Sequence, residues 1–119
     1  MSAGEQFEAR IVASWRDDPL ESPVTIDARV DARDHRIAGK WTIHGATFLD
    51  SPRCRPFVLD AAGVMDFGEG RADDERYWRT DLRQRDIRIG AEFRIVWPGG
   101  DEGVYVIDRI ARLGAKRPG

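Results

Sequence analysis

The sequence predicts a mainly β protein: a small antiparallel β-barrel or sandwich with an SH3-like character, roughly six to eight strands and at most one short helix. Three observations lead to this prediction. Several segments alternate between apolar and polar residues, and clusters of glycine, proline and aspartate separate them. Glycines also lie inside the predicted strands, where they permit the bends that a partly open barrel requires.

The alternation is clearest in three segments of the chain. Between positions 87 and 97 every odd position is apolar, and the even positions are polar, glycine or a single valine. Positions 7–15 and 24–32 alternate in nearly the same way. Successive side chains of a strand point to opposite faces, so each segment predicts a strand with one dry and one wet face. The wet face of 24–32 carries acids and arginines, which predicts ion pairs with a neighbouring strand.

Shorter elements, separated by turn-forming residues, fill much of the remaining chain. Prolines bracket a predicted loop at 51–56, small residues at 61–63 predict a tight hairpin, and a glycine-rich loop at 98–103 precedes the last strand. In chain order, the other predicted elements are a turn at 34–36, strand residues between 37 and 49, short strands at 57–60 and 64–67, and a strand at 104–113.

The segment from Ala72 to Arg85 fits two structures. Three acids at 73–75 suit the start of a short helix, and Trp78 and Leu82 would then share one helical face. The competing interpretation is a strand through 77–80. We favour the strand or an irregular segment, because the predicted elements on both sides are strands.

Length and composition limit the class of protein. The chain has 119 residues, which predicts one domain over 1–119 with a loose C-terminal tail at 115–119. A net charge of −2 argues against nucleic-acid binding. Cys54 is the single cysteine, so an internal disulfide is impossible and a cytoplasmic location is expected. No secretory leader pattern or membrane-spanning apolar run is present, so we expect no membrane partner.

The sequence contains no catalytic or cofactor motif, so we expect neither enzyme activity, nor a cofactor, nor a metal. Phosphate-binding glycine loops are absent, and the two histidines and one cysteine lack the spacing of a zinc site. One enzymatic hypothesis stays open: a small hydrolase or isomerase that uses His44 or Cys54 together with a nearby carboxylate.

Four arginines form a candidate anion-binding set: Arg29, Arg33, Arg53 and Arg55. They lie on a predicted strand and in a predicted loop, and they would let the protein act as a small-ligand or nucleotide-binding barrel. Arg29 and Arg33 have the Arg-x-x-x-Arg spacing and in this resemble cyclic-di-GMP-binding PilZ barrels. The chain lacks the Asp/Asn-x-Ser-x-x-Gly segment that those barrels carry downstream.

A basic aromatic stretch is the leading candidate for a partner-binding surface, because arginine and aromatic residues are enriched at protein interfaces. Trp15, Trp41 and Trp97 fall on apolar parities and are predicted core residues, whereas Trp78 is the predicted exposed anchor. The candidate partner-binding residues are Arg76, Tyr77, Trp78, Arg79, Arg83 and Arg88.

The first functional hypothesis is therefore a non-enzymatic protein-interaction module, whose partner is another protein or a second copy of the chain. The final hairpin, from Ile89 to Ile110, resembles the last hairpin of SH3-like barrels. The same architecture resembles small phage head–tail joining proteins, which gives a second alternative: a structural protein of that kind.

Overall fold

The protein folds as one antiparallel sheet that closes on itself. A computed structural model describes residues 5–21, 23–49, 51–69 and 73–113. The predicted tail at 115–119 and Ala72 lie outside the described residues. The strands are β1 (Gln6–Trp15), β2 (Val24–Asp31), β3 (Arg36–Ile37), β4 (Ile43–Thr47), β5 (Arg55–Leu59), β6 (Val64–Asp66), β7 (Tyr77–Thr80), β8 (Glu92–Val96) and β9 (Glu102–Arg112).

Eight of the strands form a closed up-and-down barrel. Each pairs with the next one along the chain, and β9 pairs with β1 to complete the ring. The two-residue β3 lies beside the C-terminal end of β2, while β4 pairs with the N-terminal half of β2. This architecture confirms the predicted small antiparallel β-barrel, and closure removes the exposed sheet edges that an open sheet would carry.

The inward side chains fill the middle of the barrel. An eight-stranded barrel is just wide enough for side chains to pack across its axis. The strict alternation of β1 and β2 places their apolar parity inside, as predicted. Gly45 of β4 lies opposite Phe57, and a Cβ at Gly45 would lie 2.5 Å from the Phe57 ring. The small residue at 45 therefore makes room for a large one in the core.

Ion pairs join the outer faces of β1 and β2. Arg10 donates two hydrogen bonds to the Asp27 carboxylate, at 2.8 and 2.9 Å, and Arg29 donates to Glu8 at 2.8 Å. Each pair sits directly across the two strands in register. The predicted ion pairs between neighbouring strands are thereby confirmed. Because they lie on the exposed wall, each contributes only modestly to the pairing of β1 with β2.

One end of the barrel is closed by the connection between β7 and β8. Leu82 begins a short 3₁₀ turn, Leu82–Gln84, and is fully buried, as is Ile87. Arg83 reaches across this end and donates to the main-chain carbonyls of Asp60 (2.9 Å) and Trp41 (2.8 Å). We call this the closed end.

Two segment predictions need correction. Only Glu92–Val96 of the predicted strand 87–97 is a strand, because residues 87–91 belong to the connection that covers the closed end. Ile87 is buried there, but Ile89 is 68% exposed despite its apolar parity. The described part of this segment, 73–85, combines both alternatives, with a single helical turn α1 (Asp73–Arg76), the strand β7 and the 3₁₀ turn.

In the described part of the chain, no helix is long and apolar enough to span a membrane.

Candidate functional site

A cavity of about 690 Å³ lies at the other end of the barrel. Four connections meet there, those that leave β1, β4, β6 and β8, and we call it the open end. Ligand cavities of proteins commonly enclose a few hundred to a thousand Å³, and barrel mouths are a frequent place for them. The described residues that line the cavity are Trp15, Glu21, Arg55, Glu75, Trp78, Trp97, Pro98 and Gly99.

Strand alternation explains why four large side chains converge on this cavity. Trp15 follows the inward parity of β1, and Arg55 shares its parity on β5 with the core residue Phe57. Trp78 takes the inward position of β7, and Trp97 continues the inward parity of β8 by one residue. Each of them lies at the open-end tip of its strand, so the barrel replaces its aliphatic core there with indole rings and a guanidinium.

The aromatic walls have defined geometry. The Trp15 and Trp97 rings meet edge to face, with centroids 5.2 Å apart and planes at 80°. A Cβ on Gly103 would lie 2.5 Å from Trp97 and 2.9 Å from the Trp15 indole nitrogen, so only glycine lets the two indoles take these positions. On the neighbouring strand β7, Trp78 packs on Phe67, with ring centroids 4.7 Å apart. The indole walls present flat apolar surfaces, and the charged residues in the described lining are Glu21, Arg55 and Glu75.

Two buried donors at the open end have no hydrogen-bond acceptor among the described residues: Nε of Arg55, and the hydroxyl of Tyr105, whose polar neighbour is the Trp97 indole, itself a donor. The Arg55 guanidinium lies over aromatic rings, 4.9 Å from the Phe67 centroid and 5.9 Å from that of Trp78. Tyr105 is fully buried beneath Trp97, with ring centroids 6.4 Å apart. Buried polar groups are nearly always paired, so an unpaired donor beside a cavity points to a ligand or water that would accept its hydrogen bond.

Burial also sets the protonation state of Tyr105. It raises the pKa of the Tyr105 hydroxyl to about 12, and the Glu21 carboxylate contributes in the same direction while the Trp97 indole acts against it. The hydroxyl is therefore protonated at neutral pH and available as a donor.

The four arginines of the predicted anion-binding set do not come together. Arg29 is paired with Glu8 on the outer wall, and Arg33 lies in the turn after β2 at the closed end. Arg53 stacks over the Phe48 ring at 4.2 Å in the connection before β5. Arg55 alone of the set lines the cavity. Alternate residues of a strand lie on opposite faces, and the two ends of a strand are far apart. Arginines that are close in the sequence therefore need not be close in the barrel.

The expectation that Trp78 is an exposed anchor is wrong. Trp78 is 8% exposed and packs in the core, because it occupies an inward position of β7. Its neighbours Tyr77 and Arg79 point outward, and the binding of a partner through them stays a prediction. Trp41, predicted in the core, is instead 54% exposed, since the chain leaves the strand conformation before β4.

The other predicted partner-binding arginines are spread over the molecule. Arg76 forms a two-bond ion pair with Asp66 beside β6, at 2.8 and 3.2 Å. Arg76 holds the pKa of the Asp66 carboxyl below its usual range through these hydrogen bonds. Arg83 is engaged with carbonyls at the closed end, and Arg88 is exposed in the same connection. The basic stretch therefore divides between the two ends of the barrel.

The residues of the enzymatic hypothesis lie on the outer wall. His44 and Cys54 border one shallow groove of about 190 Å³ together with Asp27. The Asp27 carboxylate is held by Arg10, and no hydrogen bond joins the described His44 and Cys54 side chains. Among the described residues no cluster of histidine, cysteine and carboxylate side chains is arranged to hold a metal ion.

Comparison of the chain with protein-family models, with curated proteins and with solved structures finds no match. The fold and the cavity therefore define the molecule by themselves: a closed up-and-down β-barrel with one sealed end and one aromatic-lined open end.

Proposed function

We propose that this protein is a non-catalytic small-molecule-binding barrel whose ligand enters the open end. The observation that carries the proposal is the cavity of about 690 Å³, walled by Trp15, Trp78 and Trp97. Arg55 lines the same cavity, and its buried Nε has no partner among the described residues. Apolar walls with a few convergent polar groups are the usual composition of a ligand site.

The contrast between the two ends supports this assignment. At the closed end Leu82 and Ile87 fill the barrel, and the Arg83 guanidinium is hydrogen-bonded to carbonyls. At the open end the corresponding cation, Arg55, contacts only rings among the described groups. Stability alone would favour filling both ends, so an unfilled end with unsatisfied donors favours a binding role.

Nuclear magnetic resonance of the ¹⁵N-labelled protein tests the proposal directly. The chain has four tryptophans, each with one indole N–H signal. Titration with a library of small aromatic and aliphatic compounds should shift the signals of Trp15, Trp78 and Trp97. The signal of Trp41, outside the cavity lining, should stay in place and serves as an internal control. A library that moves no cavity tryptophan, or moves all four alike, would count against a ligand site here.

A protein-interaction role is the second candidate. Three exposed apolar side chains lie around the open end, namely Leu20, Leu49 and Tyr77, with 88%, 37% and 48% exposure. Scattered exposed apolar residues are common on monomers, so a contact through them requires direct evidence. Sedimentation of the wild-type protein and of Leu20→Ser would show whether copies associate through this rim.

A further inference from the structure

We propose that the ligand of the open end is a flat aromatic molecule with one carboxylate group, which the Arg55 guanidinium receives. This inference rests on the proposed small-molecule function and specifies the ligand class.

The charge of the ligand follows from Arg55. The cavity places this guanidinium among rings, and no described acidic side chain forms an ion pair with it. Seven of the fourteen other arginines in the described part of the chain have such a partner. Those with a carboxylate within ion-pair distance are Arg10, Arg16, Arg29, Arg36, Arg76, Arg85 and Arg94. Stacking on rings holds a guanidinium in place without satisfying its donors, so the missing partner is an anion that accepts hydrogen bonds.

The position of the anion follows from the place of Arg55 in the barrel. Arg55 lies at the open-end tip of β5, shares the inward parity of Phe57 and lines the cavity. Its guanidinium lies over the Phe67 and Trp78 rings. A carboxylate has two oxygens, so it can accept two parallel hydrogen bonds from this one guanidinium.

The flat shape follows from the indoles. Trp15 and Trp97 stand nearly perpendicular to each other, and Trp78 faces the cavity from another strand. Aromatic rings gain from offset-stacked and edge-to-face contacts, and such walls offer both. A rigid ring also loses little conformational freedom on binding, whereas a flexible chain loses more.

A carboxylate fits better than a phosphate because of the acidic residues at the cavity. Glu21 and Glu75 line it together with the single cation Arg55. A phosphate monoester carries nearly two negative charges at neutral pH and would meet stronger repulsion from these two carboxylates than a singly charged group. The same argument disfavours nucleotides with several phosphates.

Isothermal titration calorimetry with three matched probes tests the ligand class. The probes are 2-naphthoate, the neutral 2-naphthamide and 2-naphthyl phosphate, which share one ring system. We expect 2-naphthoate to bind about tenfold tighter than the amide, since a charge-assisted hydrogen bond contributes that much or more. The phosphate should bind more weakly than the carboxylate. The tryptophan signals of the cavity should shift with each probe that binds.

Three variants test whether Arg55 receives the carboxylate. Arg55→Gln should lower 2-naphthoate affinity about tenfold, to the level of the amide, and leave amide affinity unchanged. Arg55→Lys keeps the charge but loses the planar fork, so it should weaken 2-naphthoate binding about threefold to tenfold. Arg53→Gln is the matched control, because Arg53 lies two positions away and stacks on Phe48 outside the cavity lining. It should leave all three affinities unchanged.

The outcomes separate the two proposals. Equal affinity for carboxylate and amide, or tighter binding of the phosphate, overturns the carboxylate assignment while the small-molecule function stands. The carboxylate assignment also fails, and the small-molecule function also stands, if other library compounds shift the cavity tryptophan signals but none of the three naphthalene probes binds. No shift of those signals by any compound overturns both. If Arg55→Gln unfolds, Arg55→Lys decides, since an unchanged 2-naphthoate affinity in that variant contradicts the proposed paired hydrogen bonds.

Discussion

Replacement of Tyr105 by phenylalanine should stabilise the protein, although most substitutions in a core destabilise it. Tyr105 is fully buried, and the proton of its hydroxyl has no acceptor among the described residues, since the neighbouring Trp97 indole only donates. The ring packs against Phe93 at 5.8 Å and Trp97 at 6.4 Å, and phenylalanine retains both contacts. An unpaired buried hydroxyl costs about 1–3 kcal/mol of desolvation, so its removal should raise the free energy of unfolding by about 1 kcal/mol at neutral pH.

The pH dependence offers a second, independent measure of the same hydroxyl. The pKa of Tyr105 is about 12 in the folded protein against an ordinary value of 10.0. Below pH 10 the hydroxyl is neutral in both states. Between pH 10 and 12 the unfolded chain loses this proton and the folded chain keeps it, so folding stability falls as the pH rises. The pKa difference corresponds to a loss on the order of 2–3 kcal/mol that is complete above pH 12, and about half of it is reached by pH 11; Tyr105→Phe should abolish this loss.

Urea unfolding at pH 7, 9, 10 and 11, followed by circular dichroism, measures both effects. The difference between wild type and variant removes contributions from other groups that titrate at high pH. Tyr77→Phe is the control, because the only other tyrosine is 48% exposed and should change stability by less than about 0.5 kcal/mol. A Tyr105→Phe protein less stable than wild type by 1 kcal/mol or more would show that the hydroxyl makes a hydrogen bond, and would refute the reasoning.

Three further predictions concern the two ends of the barrel. Arg83→Met should lower the free energy of unfolding by about 2–3 kcal/mol, measured by thermal or urea unfolding, because several carbonyls lose a charged donor. The control is Arg79→Met at an exposed position, which should change the free energy of unfolding by less than about 0.5 kcal/mol. Leu82→Ala should cost about 2–5 kcal/mol because it opens a cavity at a fully buried site, and a cost under 1 would mean that the closed end relaxes to fill it. Gly103→Ala should displace Trp97 and weaken ligand binding at the open end, visible as a moved indole signal in the free protein; an unmoved signal would contradict the packing.

Most of the barrel wall could be predicted from residue patterns. The alternation at 7–15 and 24–32 matches β1 and β2 to within about a residue at their ends, and the hairpin around 61–63 joins β5 to β6. These elements follow the pattern closely because one face of each strand is buried and the other is wet. The pattern failed where a segment is buried without being a strand. Ile87 lies under the closed end in a connection, so its apolar character reports burial alone.

The candidate site was only partly predictable. Arg55 belonged to a predicted anion-binding set, but its separation from Arg29 and Arg33 became visible only when the strands were arranged in a ring. Tyr105, Glu21 and Glu75 carried no signal, since an inward tyrosine or a loop glutamate is unremarkable in sequence. Trp15 and Trp97 were predicted core residues and are partly buried beside the core, because each lies at the tip of its strand.

The amino-acid sequence by itself determined which segments become strands and which face of each strand is apolar, because alternation is a local property of the chain. It also determined where the chain turns, through glycine and proline. Only the tertiary structure decided that β9 closes on β1 and that one end is sealed by the β7–β8 connection. It likewise decided that indoles meet a guanidinium at the other end, Arg55, with which no described carboxylate forms an ion pair. Those features depend on contacts between residues far apart in the chain, and no local pattern encodes such contacts.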